Sequence, residues 1–239
     1  MDNRLLSEIE HGEKIVEQAG LVWSWETPAG KKRWQRRVDI LTSSLQGKTT
    51  SKVLELGCGT GYFTRELLKT GVQVTAIDIS PHLIEKAKKD NPKATFILGD
   101  AHHSGLESNS FDTILGSSVL HHLEINSALK EIFRLLKPGG EVIFTEPNML
   151  NPQIAIQKNI PWIKEKMGDS PHETAFFRWS LKKNMEKHNF KQIEIVPFDF
   201  LHPSIPKGLI STIDPFCMSL EKILIVQEFA GSLFIRARK

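Results

Sequence analysis

Val53-Leu54-Glu55-Leu56-Gly57-Cys58-Gly59-Thr60-Gly61 is an apolar run that ends in three glycines at alternate positions. The run reads as a buried parallel strand, the glycines as a tight turn, and the residues from Thr60 as the opening of a helix. Glycine there admits backbone angles closed to other residues, and it lets the main chain approach a ligand with no Cβ in the way. The helix that follows presents free N–H groups, which favour a negative or strongly polar ligand group. The stretch is the first strand–turn–helix of a nucleotide-type fold.

Working outward, the same unit repeats. Residues 72–79 alternate as a second strand, and Ser80-Pro81 opens a helix with a serine cap and proline at its first position. A third strand spans 94–98 and a fourth 111–116. A helix over about 127–136 stops at Lys137-Pro138-Gly139-Gly140, and a fifth strand follows at 141–145. Alternating strands and helices predict a parallel sheet with helices on both faces. Past Asn148 the regularity breaks. Residues 149–178 read as irregular or short helical pieces, 179–189 as a helix, Lys191–Phe198 as a strand, 199–220 as a proline-rich stretch, and Ser232–Arg238 as a last strand. On the amino side, residues 1 to about 50 are helical and amphipathic. The expected organisation is a helical cap over 1–50 and one domain over 51–239, with insertions at about 149–178 and 199–231.

The glycine spacing separates two ligand classes. A dinucleotide fingerprint, G-x-G-x-x-G, places its third glycine three residues after its second: Tyr62 stands at that position, and the glycine falls one residue early, at Gly61. A nicotinamide-dependent oxidoreductase is disfavoured. The pattern E-x-G-x-G-x-G, matched by Glu55, Gly57, Gly59 and Gly61, instead resembles motif I of the class I S-adenosylmethionine (SAM) methyltransferases. Ser117-Ser118-Val119-Leu120-His121-His122-Leu123, taken with Arg134-Leu135-Leu136-Lys137-Pro138-Gly139-Gly140, is similar to the group containing the ubiquinone- and menaquinone-pathway enzymes. The resemblance covers about residues 50–148. It implies an α/β, Rossmann-like, doubly wound, mostly parallel seven-stranded sheet with an antiparallel last strand, and SAM as cofactor. It puts Gly57 and its neighbours, Cys58 among them, at the methionine end, Asp78 at the ribose, Asp100 and Ala101 at the adenine, and Ser117 near the sulfonium.

The residues themselves agree with parts of that assignment. Asp78 follows Gly57 at the roughly 20-residue spacing used by ribose-binding acids; the alternative is an acid at a helix N-terminus. Ile79 follows and would pack on one adenine face. Asp100 beside the Ala101 N–H can read adenine, or it is simply a turn aspartate.

Methyl transfer asks little of a protein beyond holding acceptor, methyl and sulfur in line. A hydroxyl acceptor also needs a base, and the candidates are His122 first and His121 second, since histidine titrates near neutral pH. The plainer alternative is one exposed and one packed histidine. Phe176, Phe177, Trp179, Phe198, Phe200, Ile205, Ile210 and Phe216 either wall an apolar or aromatic acceptor pocket or pack as core. The first expectation is therefore methylation of a small molecule at a hydroxyl oxygen. The rivals are methylation of nucleic acid or protein docked on the basic segment 31–37, and a SAM-binding module without catalysis. That segment, Lys31-Lys32-Arg33-Trp34-Gln35-Arg36-Arg37, otherwise reads as a solvated helix face with Trp34 in the core. Trp23, Trp25 and Trp34 suit a lid.

Other classes recede. The fourth strand is followed by Ser117-Ser118-Val119-Leu120, not the Asn/Asp-Pro-Pro-aromatic run of nucleobase amino methylation. There is no Pro-Cys nucleophile, and the fourth strand does not end in the Asp a metal-assisted catechol mechanism uses. Histidine and aspartate show no zinc-type spacing, so no metal is expected. The 239 residues are 40% hydrophobic and 25% charged, with net charge +3. That is an ordinary globular composition, too weakly basic to imply nucleic acid. Two cysteines make no disulfide framework, so a cytoplasmic setting is the default. No long uncharged apolar run suggests stable membrane insertion, and nothing points to a particular oligomer.

Overall fold

The computed structural model describes residues 3–167, 169–170 and 172–239. Its seven strands are β1 (Lys52–Leu56), β2 (Gln73–Asp78), β3 (Thr95–Leu98), β4 (Phe111–Ser117), β5 (Leu136–Pro147), β6 (Lys191–Phe198) and β7 (Ser232–Arg238). They form one sheet in the order β3-β2-β1-β4-β5-β7-β6. All neighbours are parallel except β7, which runs antiparallel between β5 and β6. Strand order reverses between β1 and β4, and such a reversal leaves a crevice at the carboxyl ends of the strands. The glycine turn opens into that crevice.

The helices are α1 (Asn3–Ile15), α2 (Ala19–Val22), α3 (Pro28–Thr42), α4 (Tyr62–Lys69), α5 (Pro81–Asp90), α6 (Ile125–Leu135), α7 (Pro152–Asn159), α8 (Pro161–Lys166), α9 (Arg178–Lys187), α10 (Lys207–Leu220) and α11 (Leu224–Gln227). A central parallel strand is buried on both faces and so reads as a continuous apolar run. In β1, Leu54 and Leu56 pack with Leu129 and Ile132 of α6 and Leu181 and Met185 of α9. Val53 faces the other way, onto Leu41 of α3 and Leu67 of α4. Ser80 caps α5 by accepting from the Leu83 N–H, with Pro81 at the first helical position.

Two expectations from the sequence need correcting. Strand β5 does not wait for Glu141. It starts at Leu136, directly after α6, because Leu136 pairs with Phe111 before a register shift. The proline-rich stretch after 199 is largely the 14-residue helix α10, which keeps Pro215 inside it.

The basic segment lies on α3 and is consumed within the chain. Arg33 Nε and Arg37 Nη1 meet Asp199 Oδ2 at 2.9 and 2.7 Å, and Arg37 Nη2 donates to Ser232 Oγ at 2.6 Å. Arg36 pairs in bidentate fashion with Glu221. Of its basic residues only Lys31 and Lys32 remain exposed, and Lys32 lies 3.4 Å from Asp214. Trp34 packs against Phe63, with ring centroids 6.3 Å apart.

Candidate active site

A cavity of about 630 Å³ lies over the carboxyl ends of β1, β2 and β4. Its floor is the glycine turn. Gly57 and Cys58 donate to the Ile77 carbonyl at 2.9 and 3.2 Å, which ties the turn to β2. Gly59 has φ +52°, and a Cβ on it would stand 2.6 Å from the ring of Trp23. The turn is thus shaped from below by β2 and closed from above by the cap. Trp23 also meets Tyr62 edge-on, and Tyr62 donates to Glu26 at 2.7 Å. Trp25 packs on Phe63.

Of the residues expected at the cofactor, Gly57, Cys58, Gly59, Asp78, Ile79, Asp100, Ala101 and Ser117 line this cavity. Asp78 ends β2 and accepts from the Gly59 N–H at 2.8 Å and the Ser80 N–H at 3.0 Å. Burial raises its pKa, and those two main-chain donors oppose the rise. Asp100 accepts from the His102 N–H at 2.9 Å, and its Oδ1 lies 2.6 Å from His102 Nδ1. Since His102 Nε2 accepts from the Glu124 N–H, its proton sits on Nδ1, facing Asp100. Ser117 Oγ accepts from Thr145.

Glu55 and Gly61 are not in the lining. Glu55 is 2% exposed, turns away from the cavity toward α4, and accepts from Thr64 Oγ1 at 2.5 Å. Burial, seconded by the charge of Asp78, raises its pKa to about 8. Gly61 has φ +83°, and its Cβ would strike Asn91. Both residues stand beside the turn, outside the cavity lining.

The far end of the cavity is polar and gathers residues from four distant segments. His121 and His122 stand on a short 3-10 turn after β4, with rings 4.2 Å apart. His121 Nδ1 lies 2.8 Å from Glu146 Oε2, and Glu146 also accepts from the Val119 and Leu120 N–H groups. Burial raises Glu146 to about 7 and holds His121 well below the usual histidine range. For His122, burial alone would lower the pKa, but hydrogen bonding to Glu8 and its charge outweigh that and raise it. His122 Nδ1 lies 3.0 Å from Glu8 Oε2, on α1, and 3.8 Å from Glu173 Oε1. Glu173 in turn takes Lys158 of α7 at 2.6 Å and the Ser170 N–H at 2.7 Å.

Glu8, Glu146, Glu173 and Lys158 were not legible as site residues. Only Glu146, at the end of a strand facing the crevice, carried a positional signal. Of the aromatic set expected to wall an acceptor pocket, Phe200 alone reaches the cavity. Phe198 is core beneath Arg36 and Arg37, Phe176 packs on the main core, and Phe177, Trp179 and Phe216 face outward. The apolar wall comes instead from Leu5, Ile15, Val22, Trp23, Trp25 and Met167. Among the described residues no helix is long and apolar enough to cross a membrane.

Residues 54–144 match the model of a family described as "Methyltransferase domain". A demethylmenaquinone methyltransferase of Paenarthrobacter aurescens is 30% identical over 161 residues, covering 63% of this chain and 62% of that protein. A malonyl-[acyl-carrier protein] O-methyltransferase of Serratia marcescens is 33% identical over 95 residues, 39% of this chain and 37% of that protein. The chain therefore spans less than two thirds of the length of these relatives. In fold, it superposes on a SAM-dependent methyltransferase of Thermotoga maritima, a possible histamine N-methyltransferase. The TM-score is 0.69 at 20% identity, with 96% of this chain and 99% of that one covered.

Proposed function

We propose, from the premise that this chain carries a class I SAM-dependent methyltransferase domain, that it transfers a methyl group from SAM to a small molecule, at a hydroxyl oxygen. The observation that carries the reading is one cavity with two unlike ends. The glycine turn, Asp78, Asp100 and Ser117 line one end, and His121, His122 and Glu173 line the other.

In this reading Asp78 takes the ribose hydroxyls, Ile79 and Ala101 flank the adenine, and Asp100 receives its amine. The Gly57–Gly59 backbone runs beside the methionine portion, with Ser117 near the sulfonium. SAM supplies an activated methyl, so the chain's work is alignment and exclusion of water. Trp23 and α1 supply the exclusion. Proton acceptance from the hydroxyl falls to His121 rather than His122. Glu146 fixes the Nδ1 edge of His121 and leaves Nε2 open, whereas His122 is already engaged by Glu8. Acceptors carried by the apolar wall of the cap are small and partly apolar. A nucleic-acid substrate has lost its dock, because the arginines of segment 31–37 are ion-paired within the chain. The cytoplasm suits this reading, with Cys58 and Cys217 both unpaired.

The test is calorimetric titration of S-adenosylhomocysteine and, separately, NADH into wild type, Asp78→Asn and Asp78→Ala. Homocysteine-product binding that drops more than tenfold in the alanine variant, with no NADH binding, supports the cofactor half. Transfer of labelled methyl from SAM to a panel of alcohols, phenols and amines then decides the acceptor atom. Labelled amine products with no labelled ether would overturn the hydroxyl reading. Tight product binding with no transfer to any acceptor would leave a binding module.

A further inference from the structure

We infer that His121, His122 and Glu173, with Glu8 as a fourth donor, form a binding site for one divalent metal ion of the zinc class. The donors come from three parts of the chain: the turn after β4, the loop before α9, and α1. His121 Nε2 lies 3.9 Å from Glu173 Oε2, and His122 Nδ1 lies 3.8 Å from Glu173 Oε1. Glu8 Oε2 lies 3.0 Å from His122 Nδ1. One ligand atom each from His121, His122 and Glu173 falls within 4.8 Å of the others. Tetrahedral zinc with nitrogen and oxygen ligands holds its donors about 3.3 Å apart. The group needs to contract by well under 2 Å, roughly a rotamer adjustment, to close on an ion.

A second observation points to a ligand independently of the cluster's composition. The His121 side chain is 7% exposed, and its Nδ1 edge is occupied by Glu146. Nε2 is then the edge of His121 left for the cavity, with Glu173 Oε2 3.9 Å away. His122 Nδ1 is buried without a hydrogen bond of good geometry, with Glu8 Oε2 3.0 Å away. The Glu146–His121 pairing is also the outer-shell arrangement that orients a metal-ligating histidine and fixes its tautomer.

Glu8, Asp169 and Glu173 converge here, with Glu146 behind His121. Lys158 answers Glu173 and Asp169 at 2.6 and 2.8 Å, Lys164 donates to the main-chain carbonyl of Glu173, and His122 answers Glu8, so a metal ion would take the place of the His122 proton among these carboxylates. Imidazole and carboxylate donors together suit zinc, cobalt or iron better than magnesium or calcium. No spacing in the sequence could have announced the site, since its two histidines are adjacent and its carboxylates lie far away on either side. The expectation of no metal rested on local spacing alone. The ion binding does not depend on the methyl-transfer reading. If both hold, the ion replaces the imidazole as the group that faces the acceptor.

The test uses the full chain without a histidine tag, stripped with a chelator. Zn²⁺ is titrated by calorimetry and Co²⁺ by its visible absorption, on wild type, His121→Ala, Glu173→Gln, Glu8→Gln and Glu146→Gln. The expected result is one ion per chain. Loss of affinity is at least tenfold in the first three variants, and about 10- to 100-fold in Glu146→Gln, which touches no ion. Melting curves and S-adenosylhomocysteine binding show which variants fold, and Glu8→Gln, at the edge of the cluster, serves should His121→Ala not. No saturable uptake of either ion overturns the inference, as does uptake equal in wild type and variants. Uptake as expected with no methyl transfer leaves the site standing and removes only the proposed reaction.

Discussion

At the residue scale, Glu55 separates belonging to a motif from touching a ligand. It sits in the decisive run, yet it points beneath the glycine turn, bonded to Thr64. Its pKa is near 8 in the fold against about 4.5 unfolded. The folded state therefore holds a proton that the unfolded chain has lost, and stability declines as pH rises from about 4.5 to about 8. The slope contributed by this one group is about 1.4 kcal/mol per pH unit where fully expressed. Glu55→Gln keeps an acceptor for Thr64 and has no proton to lose. We expect its melting temperature to match wild type near pH 5, exceed it increasingly up to about pH 8, and hold that margin above, as read by thermal melts from about pH 5 to about pH 9. Gly59 offers a second prediction. Alanine there combines a left-handed backbone cost of about 1–2 kcal/mol with a clash against Trp23. Gly59→Ala should lose S-adenosylhomocysteine binding by more than its loss of stability explains, because it lifts the cap as well.

At the element scale, α3 is riveted to the distal half of the chain. Asp199 sits at a left-handed position, φ +76°, between Arg33 and Arg37. Those guanidinium charges hold Asp199 below the usual carboxylate range against the effect of burial, which is the largest single influence on it. Removing the acid leaves Arg37, 3% exposed, without its partner. Asp199→Ala is expected to cost about 3–5 kcal/mol, the typical penalty for breaking a buried pair from one side. That is roughly 10 °C in melting temperature, measurable by calorimetry.

The same scale shows what the sequence could and could not tell. Strand β7 was readable to the residue, because its alternation ends at clear polar boundaries, and β1 to within one. The amino-terminal start of β5 was not, because Pro138 and the two glycines after it speak locally for a loop, while Leu136 pairs with Phe111 of β4 and Gly139 and Gly140 exchange main-chain hydrogen bonds with Lys239. Helix α10 was missed because Pro215 removes only one donor from a helix already anchored through Ile210 and Cys217. The glycine-turn end of the cavity was legible because a contiguous motif and the ends of successive strands mark it, with Gly57, Asp78, Asp100 and Ser117 all in the lining. At the other end His121 and His122 were legible, but Glu8, Glu146, Lys158 and Glu173 were not, because their proximity is decided by tertiary packing and leaves no periodic trace.

At the scale of the whole molecule, part of the arginine charge is paired internally while the net charge stays at +3. Arg33, Arg36, Arg37, Arg178 and Arg236 each pair with a carboxylate. The arginines of the basic segment are thus not free to release counterions from a polyanion. Binding to single-stranded or double-stranded nucleic acid should therefore be weak and show a shallow dependence on salt, whereas a steep logarithmic slope would restore the docking alternative. Fluorescence anisotropy across a salt series measures it.

The cap that supplies Glu8 and Trp23 is the amino-terminal helix region itself, lying across the outer side of the cavity. A displacement of this cap that parts Trp23 from the glycine turn and Glu8 from His122 would widen the cavity, and it would move a whole helix rather than a side chain. Such motions take microseconds to milliseconds and drag solvent with them. On the proposed reaction, movement of the cap and not bond making is expected to set the rate. Turnover should slow as the medium thickens, in sucrose or glycerol, while a small co-solute that leaves viscosity unchanged has no such effect.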